Sequence, residues 1–142
     1  MSTLKGLDLM KVLVERSLKA KSFDAACVKG MKFLSAGDGH CKAEFTVSDE
    51  HLNAAGTLHG GCSTTIIDCI STYALMTKGI SPGVSVDLNV SFLKAAKAGE
   101  VITVDAKTIK SGRTLAFLEV EMLKKEGGAI IARGQHTKFI GS

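Results

Sequence analysis

From Val84 to Phe92 apolar and polar residues alternate one for one, with Val84, Val86, Leu88, Val90 and Phe92 set against Ser85, Asp87, Asn89 and Ser91. This is the period of a strand with one face buried. Residues 100–110, 114–124 and 129–140 read as three further strands, separated by Ser111-Gly112-Arg113 and by Glu126-Gly127-Gly128. Upstream, residues 27–35 and 40–47 predict a hairpin closed by Ala36-Gly37-Asp38-Gly39. Six strands result, and the short turns between the last three require antiparallel neighbours.

Two segments follow helical spacing instead. Leu4, Leu7, Met10, Leu13 or Val14, and Leu18 recur with Lys5, Lys11, Arg16, Lys19 and Lys21 between them, predicting an amphipathic helix within residues 1–22 that docks on the domain. A second helix is expected over residues 60–78, opening at Gly60 and stopping at Lys78-Gly79. Its Ile66, Ile67, Ile70, Ala74, Leu75 and Met76 cannot share one narrow stripe, so sheet should wrap around it. The class is α+β, in a single domain over residues 1–142 without repeats or long linkers.

Composition narrows the possible functions. With 45% hydrophobic and 23% charged residues the chain is neither disordered nor fibrous. The net charge of +4 is dispersed, and seven aromatics with no Trp leave few platforms for stacking bases, so nucleic-acid binding is not expected. Residues 60–77 contain Asp68 and six Ser or Thr, too polar for a bilayer span. Cys27, Cys41, Cys62 and Cys69 form no CxxC pair and read as free thiols in a reducing compartment. Cytoplasm and mitochondrion both suit the basic N-terminal helix; Asp8 and Glu15 argue against a transit peptide without excluding one. Asn89-Val90-Ser91 matches a glycosylation acceptor but falls inside a strand pattern.

The run from His51 through Asn53, Gly56, His59, Gly60 and Gly61 into the second helix carries the strongest chemical signal. Glycine at a helix start exposes unpaired N–H groups at the positive end of the dipole, which suits an oxyanion. The same pair also fits a tight loop entering a helix. His59 is open between a structural role and a catalytic one, and no second His stands at metal-ligand spacing, so no metal is expected. Asp68 is the only charge between Gly60 and Thr77. Burying it would be costly unless it is bonded or opens to a cleft, and it reads either as a satisfied carboxylate or as a base or nucleophile. Cys62 and Cys69 read as small buried hydrophobes.

Taken together, Asn53-Ala54-Ala55-Gly56-Thr57-Leu58-His59-Gly60-Gly61, Asp68, Pro82-Gly83-Val84-Ser85-Val86-Asp87-Leu88-Asn89, Gly112-Arg113-Thr114-Leu115-Ala116-Phe117 and Gly134-Gln135-His136-Thr137-Lys138 closely resemble the hotdog-fold acyl-CoA thioesterases of the PaaI-like group. The resemblance covers nearly the whole chain. It implies a six-stranded antiparallel sheet wrapped around the central helix, with dimers pairing into tetramers and active sites at subunit interfaces. It also implies hydrolysis of medium- to long-chain fatty acyl-CoA, with no cofactor beyond the coenzyme A of the substrate. In that resemblance Asp68 is the catalytic carboxylate, Ser85 helps hold the water, and Gly60 donates its N–H to the thioester oxygen. Asn53 and His59 bind or orient around the carbonyl from the facing subunit. Phe92-Leu93-Lys94-Ala95-Ala96-Lys97 and Lys110-Ser111-Gly112-Arg113-Thr114-Leu115 correspond to segments that contact the nucleotide. Lys94-Ala95-Ala96 replaces the Pro-like element usual in the first of these. Two alternatives accompany the reading: an acyl-thioester hydratase or dehydratase on the same fold, and a non-catalytic acyl-CoA-binding protein.

Overall fold

The computed structural model describes residues 3–141, with side chains from Lys5 onward, so Leu4 of the predicted apolar stripe lies outside the described side chains. Helix α1 spans Thr3–Ala20. Met10 and Leu13 are buried, while Lys11, Glu15, Arg16 and Lys19 face solvent, as an amphipathic helix requires. Gly6 is where α1 meets the sheet: a Cβ there would collide with the Ala36 carbonyl oxygen.

The segment after α1 corrects the expected first strand. Ala25–Val28 forms a single helical turn, α2, that takes up Cys27, and strand β1 begins only at Lys32–Gly37. Asp24 and Ser22 close this turn with backbone bonds to Cys27, Val28 and Ala25 at 2.9–3.1 Å, a local demand that outweighs the strand-like composition. Strand β2 follows at His40–Thr46, after a turn in which Asp38 and Gly39 adopt positive φ of 51° and 82°. Ser48 and His51 then cap a short 3-10 turn over Asp49–His51.

Helix α3 spans Gly60–Met76, slightly shorter than expected because the Thr77 hydroxyl bonds back to the Ala74 carbonyl at 2.6 Å. Strands β3 (Val84–Phe92), β4 (Val101–Ser111), β5 (Leu115–Lys124) and β6 (Ile130–Phe139) complete one antiparallel sheet in the order β1-β2-β4-β5-β6-β3. The sheet curls around α3, whose Ile66, Ile67, Ile70 and Ala74 are fully buried against Ile102, Val104, Val120 and Met122. This is the hotdog arrangement.

Strand β3 departs from its simple alternation. Its register on β6 slips between Ser85 and Asp87, so only Leu88 and Val90 pack toward the core, whereas Val84, Val86 and Phe92 are 63%, 61% and 57% exposed. As the last strand in the sheet order, β3 has one neighbour among the described residues, and its other edge, nine residues long, meets no further strand of them.

Candidate active site

The loop before α3 is organised by Asn53. Its Oδ1 accepts from the N–H groups of Ala55 at 3.0 Å and Thr57 at 3.1 Å, and its Nδ2 donates to Thr57 Oγ1 at 3.0 Å. One Nδ2 hydrogen remains for a ligand. His59 is the N-cap of α3, its Nδ1 accepting from the Gly61 N–H at 2.8 Å. A neutral His59 therefore carries its proton on Nε2, facing outward. His51 is spoken for: its Nδ1 accepts the Ser48 N–H at 3.0 Å and its ring stands edge-on to Phe45.

With the Gly61 N–H taken by His59, the Gly60 N–H at the head of the helix makes no hydrogen bond among the described residues. A Cβ on Gly60 would come within 3.3 Å of the Phe92 ring, so glycine lets that ring lie over the helix start. Here a cleft of about 380 Å³ opens between Leu58, Gly60, Ser63, Phe92, Leu93 and Lys94. Ala95 and Ala96 line it too, and the Lys97 N–H is held by Glu100 Oε1 at 2.8 Å. The first expected nucleotide segment thus lies beside Gly60.

Asp68 sits elsewhere. Eight residues of α3 separate it from Gly60, about 12 Å along the axis, so one chain does not bring the expected carboxylate and oxyanion donor together. Nor is Asp68 buried as expected: its side chain is 46% exposed because the sheet encloses α3 only in part. Its carboxylate makes no hydrogen bond among the described residues, and its Oδ1 lies 3.9 Å from His136 Nε2.

Around Asp68 the structure gathers residues from α3, β3 and β6. His136 bridges Ser71 Oγ at 2.8 Å and Ser85 Oγ at 2.7 Å. Burial depresses the His136 pKa and Lys138 adds to the fall, while Asp68 and Asp87 oppose it. Lys138, 5% exposed, donates to Thr72 Oγ1 at 2.8 Å; burial lowers its pKa against the pull of Asp68. The thiols of Cys62 and Cys69 are pushed up, Cys62 first by its hydrogen bond with Cys27 and Cys69 first by burial, which keeps both protonated.

Residue types alone did not single out His136, Lys138, Ser71 or Thr72 as site residues. A signal existed in β6, where alternation places Ala132, Gly134, His136 and Lys138 on the buried face: two polar groups at core positions demand partners. The second expected nucleotide segment lies at this end of the sheet. Gly112 turns the chain with an N–H bond to the Leu115 carbonyl at 2.9 Å, exposing Lys110, Arg113 and Thr114 beside half-buried Ser111 and Leu115. Its neighbour Ala116 pairs with Lys138, which pairs in turn with Ser85.

The expected site residues therefore fall into two groups within one chain. Asp68, Ser85 and residues 110–115 lie toward the start of β3, and Asn53, His59, Gly60 and residues 92–97 toward its end. Ser85 and Phe92 are about 23 Å apart along that strand.

Comparison with known proteins adds identity to this geometry. Residues 55–131 match the thioesterase superfamily. Human acyl-coenzyme A thioesterase 13 is 42% identical over 134 residues, covering 94% of this chain and 95% of that protein. The crystal structure of zebrafish thioesterase superfamily member 2 superimposes with a TM-score of 0.89 at 41% identity, covering 95% of this chain and 98% of that one. A hypothetical thioesterase from Streptococcus pneumoniae, solved with coenzyme A, gives a TM-score of 0.79 at 28% identity, covering 88% of this chain and 97% of that one. The chain belongs to the thioesterase superfamily.

Proposed function

We propose that this chain hydrolyses fatty acyl-CoA of medium to long chain length to free fatty acid and coenzyme A, using water activated by Asp68. The observation that carries the mechanism is the open Asp68 carboxylate, which makes no hydrogen bond among the described residues and is set beside the Ser85–His136 pair. An unengaged base is what proton abstraction from water needs.

In the proposed reaction the water oxygen bonds to the thioester carbon while one of its protons passes to Asp68. The carbonyl π pair moves onto oxygen, where the Gly60 N–H and the spare Asn53 Nδ2 hydrogen stabilise it. When the pair returns, the C–S bond breaks, sulfur leaves with its electrons, and the Asp68 proton neutralises the thiolate. His59, its Nδ1 engaged by the Gly61 N–H and its Nε2–H outward, orients around that carbonyl. The acyl tail lies along the apolar side of α3 and β3, and the phosphates of coenzyme A meet the cations Lys94, Lys97, Lys110 and Arg113. No resident cofactor enters this scheme.

Two copies complete the site. If β3 pairs antiparallel with β3 of a second chain, the Ser85 end of each strand meets the Phe92 end of the other. This brings Asp68 of one copy to Gly60 and Asn53 of its partner. The free thiols and basic α1 support a reducing compartment, cytoplasmic or mitochondrial. For a hydratase the imidazole beside the substrate would have to be His59, because His136 is enclosed with both nitrogens engaged.

The test is thiol release across a panel of acyl-CoAs, with wild type and Asp68→Asn side by side. The variant should fold and assemble normally and lose about a hundredfold or more in kcat. Near-normal turnover removes Asp68 from the mechanism. Formation of enoyl product, or binding without thiol release, selects one of the two alternatives instead.

A further inference from the structure

Ser71, His136 and Ser85 form a chain of hydrogen bonds from the core to the face that bears Asp68. Ser71 is fully buried and His136 is 1% exposed, so water cannot adjust the proton count between them. Ser71 Oγ lies 2.8 Å from His136 Nδ1 and 3.1 Å from the main-chain carbonyl oxygen of Asp68. A hydroxyl has one proton, and a carbonyl oxygen only accepts. Both contacts are hydrogen bonds only when Ser71 O–H donates to that carbonyl, a habit of serine inside helices, and His136 Nδ1–H donates to Ser71 Oγ. The opposite tautomer would set two lone-pair-bearing oxygens against each other at 3.1 Å.

A neutral imidazole holds a single N–H, so Nε2 is then bare and accepts the Ser85 O–H across 2.7 Å. Asp68 and Asp87 favour the charged ring, but burial and Lys138 prevail and keep it neutral.

We propose that His136 is a positioning residue: held in the Nδ1–H tautomer by Ser71, it draws the Ser85 proton inward and turns Ser85 into a hydrogen-bond acceptor for the attacking water. This rests on the reading of Asp68 as the base that uses this water. The consequence is directional. Asp68 takes one proton of the water and Ser85 Oγ accepts the other, which leaves the water's lone pairs free for the thioester carbon. Were Ser85 instead to donate to the water, it would occupy one of those lone pairs and weaken the nucleophile.

Nitrogen NMR of the full chain labelled with 15N-histidine reads the tautomer directly. At neutral pH His136 should show a directly bonded proton on Nδ1 and none on Nε2; a proton on Nε2 overturns the proposal. Ser71→Ala deprives Nδ1–H of its acceptor and should move the proton toward Nε2 while lowering kcat about tenfold at unchanged KM. An unchanged tautomer with full kcat in this variant overturns it as well. His136→Gln can place an amide oxygen near the Nε2 position and should retain more kcat than His136→Asn, whose shorter amide reaches only toward Ser71. Equal or reversed losses count against the proposal. The wild-type tautomer is independent of Asp68 chemistry, so an active Asp68→Asn would defeat the hydrolytic reading and leave the NMR result to be judged separately.

Discussion

Ser85 stands where the register of β3 slips, and that irregularity lets a residue on an otherwise exposed edge strand reach the ring of His136. On the proposed mechanism, removing its hydroxyl leaves Asp68 in place and deprives the water of one of two anchors. Ser85→Ala should therefore lower kcat about tenfold, less than Asp68→Asn, with KM for acyl-CoA little changed. Steady-state thiol release at saturating substrate reads this, and full activity would contradict an anchoring role. His136 adds a stability signature. Its folded pKa lies below the ordinary 6.5 because of burial, so the unfolded chain takes up its proton first as pH falls. The native state is favoured fully above that ordinary value and loses ground as pH drops from it toward the depressed one. Urea unfolding at about pH 7.5 and 5.5 should show lower stability at the acid pH, with a smaller difference in His136→Gln. Asp68 and Asp87 pull the pKa upward and narrow this window, whereas Lys138 widens it.

At the scale of elements, α3 packs tightly on β6 at Gly134, where a Cβ would lie 2.7 Å from Ile67 Cγ2. Gly134→Ala should cost about 1–3 kcal/mol through overpacking, measured by urea unfolding. Gly30, with nothing within 4 Å, is the control: Gly30→Ala should change stability by no more than about 0.5 kcal/mol. Most elements were legible because their signals are local. The inward residues of β4 and β5 alternate cleanly, and α3 is apolar enough to be read as enclosed. Two features resisted. The turn of α2 is made by hydrogen bonds of Ser22 and Asp24 within a stretch whose apolar content suggested strand. The exposure of Val84, Val86 and Phe92 depends on a bulge and an edge position, both products of sheet order, which a period of two does not encode. The site was legible in the same uneven way. Asp68 and Gly60 stood out by type and neighbourhood, but their separation on α3 is a matter of helix rise, and the role of His136 depends on three elements converging.

For the whole molecule, a site divided between two copies, as proposed, would have consequences that no single-chain property reproduces. The nine-residue β3 edge would offer pairing to a second copy, and the outer face of the sheet exposes Ile109, Phe117 and Phe139, apolar surface on which the proposed dimers would join. If the dimer builds each site from opposite ends of β3, inactive chains should rescue one another. Asp68→Asn lacks the base, whereas Asn53→Asp keeps the loop's acceptor oxygen but loses the Nδ2 donor. In a mixed dimer one site joins both lesions, and the other joins the intact Asp68 of one chain to the intact Asn53 of its partner. Random reassembly makes about half of the dimers mixed, each with one working site, so equal amounts of the two variants should recover about a quarter of wild-type thiol release. Activity that stays at the sum of the separate variants, with mixed dimers demonstrated by mass spectrometry, would place the base and the donors in one chain and defeat the shared site.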